Sequence, residues 1–143
     1  MQRQQRGFTL LEVMVVIVIL GVLASLVVPN LLGNKEKADQ QKVVTDIGAL
    51  EQALDMYKLD NSIYPSNEQG LDALVKAPSP EPRNYRNGGY IKRLPQDPWG
   101  NEYQYMMPGE HGSVDIYSLG ADGQEGGEGV NTDIGNWNML DYR

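Results

Sequence analysis

From Phe8 to Val28 the chain reads F-T-L-L-E-V-M-V-V-I-V-I-L-G-V-L-A-S-L-V-V, 21 positions that are apolar almost without break, with Glu12 the one ionisable side chain among them. As an α-helix this run reaches about 31 Å at ~1.5 Å per residue, close to the ~30 Å hydrocarbon thickness of a bilayer. Its β-branched residues favour strands in water, but in lipid a helix satisfies every backbone group within one segment. Pro29 stands where the run ends and, having no amide donor, is predicted to end or loosen the helix there. Beyond it the pattern changes. Val43, Ile47, Leu50, Leu54 and Tyr57 recur at helical spacing, while Lys35, Glu36, Asp39, Lys42, Asp46, Glu51 and Asp55 fall mostly off that stripe. The prediction is one continuous helix to about Asp60, its first half in a membrane and its second half laid on a globular core.

The remaining pattern is short and broken. Ser66 to Gln69 fits a capping box before a short helix over Glu68–Val75. A-P-S-P-E-P-R-N-Y-R-N-G-G-Y, 77–90, reads as a surface loop, and Asp97-Pro98-Trp99-Gly100 as a turn. Glu102–Met106 and Val114–Ser118 read as two strands joined through Pro108–Gly112. A helix packed on a small antiparallel sheet makes the fold class α+β.

Charge and composition narrow the functions. The net charge of -7, with the acids mostly after Asp46, argues against a nucleic-acid partner, which needs clustered Lys and Arg. With no Cys, disulfides, zinc–thiolate sites and thiol catalysis are excluded. The one histidine, His111, lies in G-E-H-G and reads as a solvated loop residue rather than a catalyst. No Ser-His-Asp set surrounds it, no Gly-rich phosphate loop follows a strand, and nothing places an acid pair across a cleft, so the chain reads as a non-enzyme.

Arg3 and Arg6 precede the apolar run with no acid beside them, a targeting pattern. A-S-L-V-V-P is a poor site for cleavage after the run. A cut after Gly7 instead leaves the apolar segment attached and exposes an α-amino group on Phe8, four residues before Glu12. Lys and Arg counts alone do not set the orientation, since Lys35, Lys37 and Lys42 follow the run; the brevity of the leader places it in the cytoplasm. An acid at the centre of a lone spanning helix costs roughly 2.5–3.5 kcal/mol on insertion scales, so such a residue tends to have a partner. Glu12 is either tolerated near the headgroups or paired with the new amine, in its own chain or a neighbour's; the second arrangement makes it a register device for assembly.

G-F-T-L-L-E (7–12), the apolar run and Pro29 resemble the class III signal of type IV pilins and pseudopilins. N-L-L-G-N-K-E-K-A-D (30–39), A-L-D-M-Y-K-L-D-N (53–61), Y-P-S-N-E-Q-G-L (64–71), G-Y-I-K-R-L-P-Q-D-P-W-G (89–100) and S-L-G-A-D-G (118–123) narrow this. Together they resemble the major pseudopilin of the type II secretion system, the general secretion pathway protein G family. The resemblance implies a pilin-like fold in three parts: a cytoplasmic leader, 1–7, cleaved between Gly7 and Phe8; a transmembrane and filament-core helix, 8–29; and a periplasmic globular domain, 30–143. It implies a prepilin peptidase that cuts after Gly7 and methylates the amine of Phe8, and storage as a single-pass subunit of the bacterial inner membrane. Polymerisation into a periplasmic pseudopilus then drives export of folded proteins across the outer membrane. The implied partners are further copies of the chain, minor pseudopilins, the inner-membrane assembly platform and membrane lipid. Glu12 is implied to meet a neighbour's N-terminus, and the segment from Gly21 to Pro29 to lose helical order on assembly.

Two further features bear on assembly. Lys42 lies 13 residues before Asp55, roughly 20 Å along a helix and beyond reach within one chain. In subunits shifted along the axis Lys42 meets Asp55 of a neighbour, and Glu51 likewise meets Arg93; the alternative is an ordinary solvated face, on which such pairs contribute about 0–1 kcal/mol. The stretch S-L-G-A-D-G-Q-E-G-G-E-G-V-N-T-D-I-G-N-W, 118–137, is rich in Gly and side-chain oxygens and has no Lys or Arg. Calcium takes six to eight hard oxygens. The spacing fails an EF-hand, and a single β-roll repeat has nothing to stack on. On composition the stretch reads equally as a flexible loop and as a calcium site. The resemblance implies structural Ca²⁺ held by the side chain of Asp122 and the carbonyl of Leu119, with Asp133 as a further ligand and the carbonyl of Val130 filling the place that Thr132 leaves short. A major type IV pilin for adhesion or DNA uptake is the alternative; such pilins often close a C-terminal loop with a Cys pair, which is absent here.

Overall fold

The computed structural model describes residues 6–143 of the chain. Arg3, which the leader reading uses, lies outside them. One helix, α1, runs from Leu10 to Asn61 and remains helical through Pro29. The chain divides into two compact units, the first ending at Glu36 and the second covering Lys37–Arg143.

In the first unit α1 is long and apolar enough to cross a membrane. Leu11, Val15, Ile19 and Val22 are all exposed to the surroundings, as expected of a segment whose solvent is lipid. In the second unit the apolar stripe is the core face: Val43, Ile47, Leu50, Leu54 and Tyr57 are each no more than 1% exposed. They share one cluster with Leu74, Tyr103, Val114, Ile116 and Ile134. Each fully buried Leu, Ile or Val contributes about 1.5–3 kcal/mol relative to exposure, so this stripe anchors the unit.

The sheet holds three antiparallel strands in the order β1 (Gln104–Met106), β2 (Asp115–Ser118) and β3 (Ile134–Gly135). β1 and β2 pair with Tyr105 opposite Ile116, and β2 and β3 with Ser118 opposite Ile134. The two predicted strands are present but shorter at their starts; Glu102 forms only an isolated bridge with Gln96. β3 was not predicted. A two-residue strand has no periodicity to read, and its pairing depends on β2.

The capping box forms in both directions: the Ser66 amide donates to Gln69 Oε1 at 3.0 Å and the Gln69 amide to Ser66 Oγ at 3.2 Å. The predicted helix over Glu68–Val75 does not follow. Gly70 adopts φ 58°, outside the helical region, and only a 3₁₀ turn forms over Leu71–Leu74. The 77–90 segment has no regular structure, yet Tyr85 and Tyr90 pack on Tyr57, with the Tyr57–Tyr90 centroids 5.3 Å apart. The turn at 97–100 is present and is closed by the Gly100 amide on the Asp97 carbonyl at 3.0 Å.

Candidate assembly and metal-binding sites

At the start of α1, Glu12 has a partner that the sequence reading missed. Its amide donates to Thr9 Oγ1 at 3.2 Å, and its Oε2 accepts the Thr9 amide at 3.4 Å. This is a second reciprocal capping box, and T-L-L-E, 9–12, carries its signature. It uses the carboxylate to satisfy a helix-terminal donor that water would otherwise hold. It also turns the acid towards the N-terminal end of the helix, one residue from the position where a cut after Gly7 would leave the Phe8 amine. Phe8 is 90% exposed, and among the described residues a Cβ at Gly7 would meet open space.

The charges proposed to bridge subunits have contacts inside the chain. Lys42 Nζ donates to Asp46 Oδ2 and to the Gln96 carbonyl. Asp55 Oδ1 accepts the Tyr64 hydroxyl at 2.9 Å, and Glu51 Oε1 accepts the Asn136 amide nitrogen at 3.1 Å. Arg93 is exposed and forms no ion pair among the described residues. Within one chain Lys42 and Asp55 are not brought together, nor are Glu51 and Arg93.

The hairpin between β1 and β2 is held by Asp115, which is 3% exposed. Its carboxylate accepts the Glu110 amide at 2.8 Å and the His111 amide at 3.2 Å, and lies 2.9 Å from His111 Nδ1. Burial pushes this carboxyl up, but the bonds from the His111 ring and from the two amides outweigh it and hold it below the ordinary carboxylate range. His111 is therefore more than the solvated loop residue the sequence suggests: its ring also stacks on Trp137, centroids 3.9 Å apart and planes within 8°. Gly109 leaves room for the carboxylate, since a Cβ there would lie 2.5 Å from Asp115 Oδ1.

The 118–133 loop is folded tightly on itself. The Ala121 amide donates to the Val130 carbonyl at 2.9 Å, and a 3₁₀ turn spans Gly129–Asn131. Gly120, at φ 70°, lies flat against Asn131, where a Cβ would meet backbone atoms at 2.6–2.8 Å. The two ends of the loop thus meet, which brings the segments of Leu119, Asp122, Val130 and Asp133 side by side.

Asp133 Oδ2 accepts the Gly126 amide at 2.9 Å, while its Oδ1 is buried with no hydrogen-bond partner. A buried carboxylate oxygen without a donor is costly and is the kind of atom a hard cation satisfies. Asp122 is exposed and its Oδ1 accepts the Gln124 amide at 3.1 Å, leaving Oδ2 for another ligand. Among the described residues no three acidic or histidine side chains converge, so a cation here would have to rely on backbone carbonyls as much as on carboxylates. The oxygen set fits calcium on those terms. Beside the loop, burial first and then the charges of Glu125, Asp133, Asp115 and Glu110 push the Tyr117 phenol up.

An exposed apolar helix opened by T-L-L-E, continuous with the core helix of a small α+β unit, defines a class: residues 2–28 match the prokaryotic N-terminal methylation motif. Residues 30–137 match type II secretion system protein G, and the chain belongs to that family, the family of the major pseudopilin. Among its relatives, the type II secretion system core protein G of Vibrio cholerae serotype O1 is 75% identical over 142 residues, covering 99% of this chain and 97% of that one. Its counterpart in Aeromonas hydrophila is 70% identical over 144 residues, covering 99% of each chain. The crystal structure of the major pseudopilin of the type 2 secretion system of enterohaemorrhagic Escherichia coli superimposes with a TM-score of 0.68 at 60% identity, covering 77% of this chain and 96% of that one. The long N-terminal helix over a small antiparallel sheet is the fold of that structure, as the sequence resemblance implied.

Proposed function

We propose that the chain is a structural, non-catalytic subunit that is trimmed and methylated by a prepilin peptidase and polymerises into the periplasmic pseudopilus of a type II secretion system. The observation that carries this reading is the T-L-L-E box at the head of an exposed apolar helix, in a chain of the protein G family. A cut between Gly7 and Phe8 removes the basic leader and leaves the apolar segment of α1 in the inner membrane, with the globular unit in the periplasm. The new amine on Phe8 then lies beside the Thr9 amide that Glu12 already caps. In a low-dielectric bilayer a carboxylate and an ammonium attract strongly, so Glu12 of one subunit aligns with the amine of the next as the filament adds length. Pro29, with Gly21 and Ser25, lowers the cost of locally unwinding α1 in that packing.

On the outer half of α1, Lys42 pairs with Asp55 of an adjoining subunit and Glu51 with Arg93. Each carboxylate keeps one oxygen that its internal partner does not use. Calcium occupies the 118–133 loop through Asp133, Asp122 and the carbonyls of Leu119 and Val130. It fixes the C-terminal surface that neighbours pack against. The platform of the inner membrane, minor pseudopilins and lipid are the further partners of this reading.

The deciding experiment is the intact mass of the protein extracted from membranes. Loss of residues 1–7 together with one added methyl group is the expected result. A mass that retains the leader, or that has also lost the apolar run, overturns it.

A further inference from the structure

One buried carboxylate ties the turn at 97–100 to the base of the calcium loop. Asp97 is 4% exposed. Its Oδ1 accepts the amides of Trp99 at 3.1 Å and Asn101 at 2.8 Å, and its Oδ2 accepts the Ser118 hydroxyl at 2.8 Å. Ser118, 1% exposed, is the last residue of β2, and its Oγ in turn accepts the Gly120 amide at 3.2 Å. Each link has a defined direction. A carboxylate only accepts, so the hydroxyl proton points at Asp97 and a lone pair of Ser118 is left for Gly120.

The Gly120 N–H and the Leu119 C=O belong to one planar peptide group. Holding the first aims the second to the opposite side. Ser118 also sits opposite Ile134 in the sheet, so the same residue fixes the distance between Leu119 and Asp133 at the two ends of the loop.

We propose that Asp97 and Ser118 are a positioning pair that orients the Leu119 carbonyl for metal binding by the 118–133 loop. The proposal rests on the calcium reading above. The pair touches no metal. It acts by removing the rotational freedom of one peptide group, which an unrestrained loop would have to lose on binding. Its second effect is mechanical: the Asp97 turn follows Gln96, whose carbonyl receives Lys42 of α1, so the base of the loop is fastened to the core helix rather than to the loop itself.

The test is calcium titration calorimetry on the full chain in detergent micelles, with melting temperatures measured with and without calcium. Wild-type protein binds calcium and its melting temperature rises. Ser118→Ala and Asp97→Asn each weaken calcium binding by about tenfold or more and lose most of the calcium-induced rise. Ser118→Thr, which keeps the hydroxyl, restores much of both. The double variant Ser118→Ala/Asp97→Asn is no weaker than the weaker single one, because both act on the same peptide group.

Wild-type affinity in Ser118→Ala overturns the positioning role and leaves the calcium reading standing, as do losses that multiply in the double variant. An equal drop in melting temperature with and without calcium likewise makes the pair merely structural. Absence of calcium binding by the wild type sinks the calcium reading and this inference with it.

Discussion

Asp115 shows how one residue organises a turn that no motif announces. Three amide and ring donors converge on its carboxylate, and the resulting downward shift ties stability to pH. A carboxyl whose folded-state pKa lies below its unfolded value of about 3.9 adds stability that is fully present above that value. The contribution is lost as pH falls through the lower, folded value. Acid titration of the folded protein by circular dichroism is expected to show stability falling below about pH 4. Asp115→Asn should destabilise the protein at neutral pH by about 1–3 kcal/mol, since one oxygen of a buried, charged acceptor for the Glu110 and His111 donors becomes an amide nitrogen. The gap from wild type should narrow as pH drops through that window; a gap constant with pH would show that the charge of Asp115 contributes nothing. At the same scale, T-L-L-E and S-N-E-Q both carry the capping-box spacing, but T-L-L-E lies at the edge of a membrane-length apolar run, where an acid also reads as a charge in lipid.

Among the elements, α1 and the two main strands were legible because periods of 3.6 and 2 are written in side-chain chemistry. β3 and the short 3₁₀ turns were not, since each is too brief to carry a period. The 68–75 segment has a helix-start signal followed by a residue that leaves the helical region, and Gly70 decided the outcome. The loop that closes on Asn131 depends on glycine in the same local way. Gly120 has both a left-handed φ and backbone atoms where a Cβ would stand. Gly120→Ala is expected to cost more than about 1 kcal/mol. The measurement is a denaturant midpoint, which should drop without a change in slope. An unchanged midpoint would mean that the loop does not pack against Asn131 as described.

For the whole molecule, the polar face of α1 has two claims on it. Lys42, Glu51 and Asp55 are engaged within the chain, and the proposed function pairs the same groups with neighbours in the filament. These claims separate experimentally. Lys42→Glu is expected to abolish pseudopili seen by electron microscopy while the melting temperature of the extracted subunit falls by only a few degrees. Adding Asp55→Lys should restore filaments in part. Restoration of neither filaments nor export by the paired reversal would assign Lys42 to the internal contact with Asp46 and Gln96 alone. A surface pair worth about 0–1 kcal/mol in one subunit is multiplied along a polymer, which is how a weak contact becomes decisive for assembly.

The sequence by itself determined the membrane-length apolar run with its single acid, the continuation of that helix onto a core, and the sheet's two longer strands. These are local properties, set by the chemistry and spacing of nearby residues. Only the tertiary structure decided that Asp133 leaves an oxygen buried without a donor, that His111 stacks on Trp137, and that Asp97 reaches Ser118 across 21 residues. Such contacts join segments whose separation along the chain carries no signal. They arise because the collapse of one apolar stripe brings distant polar groups together, where each buried one must find a partner or await a ligand.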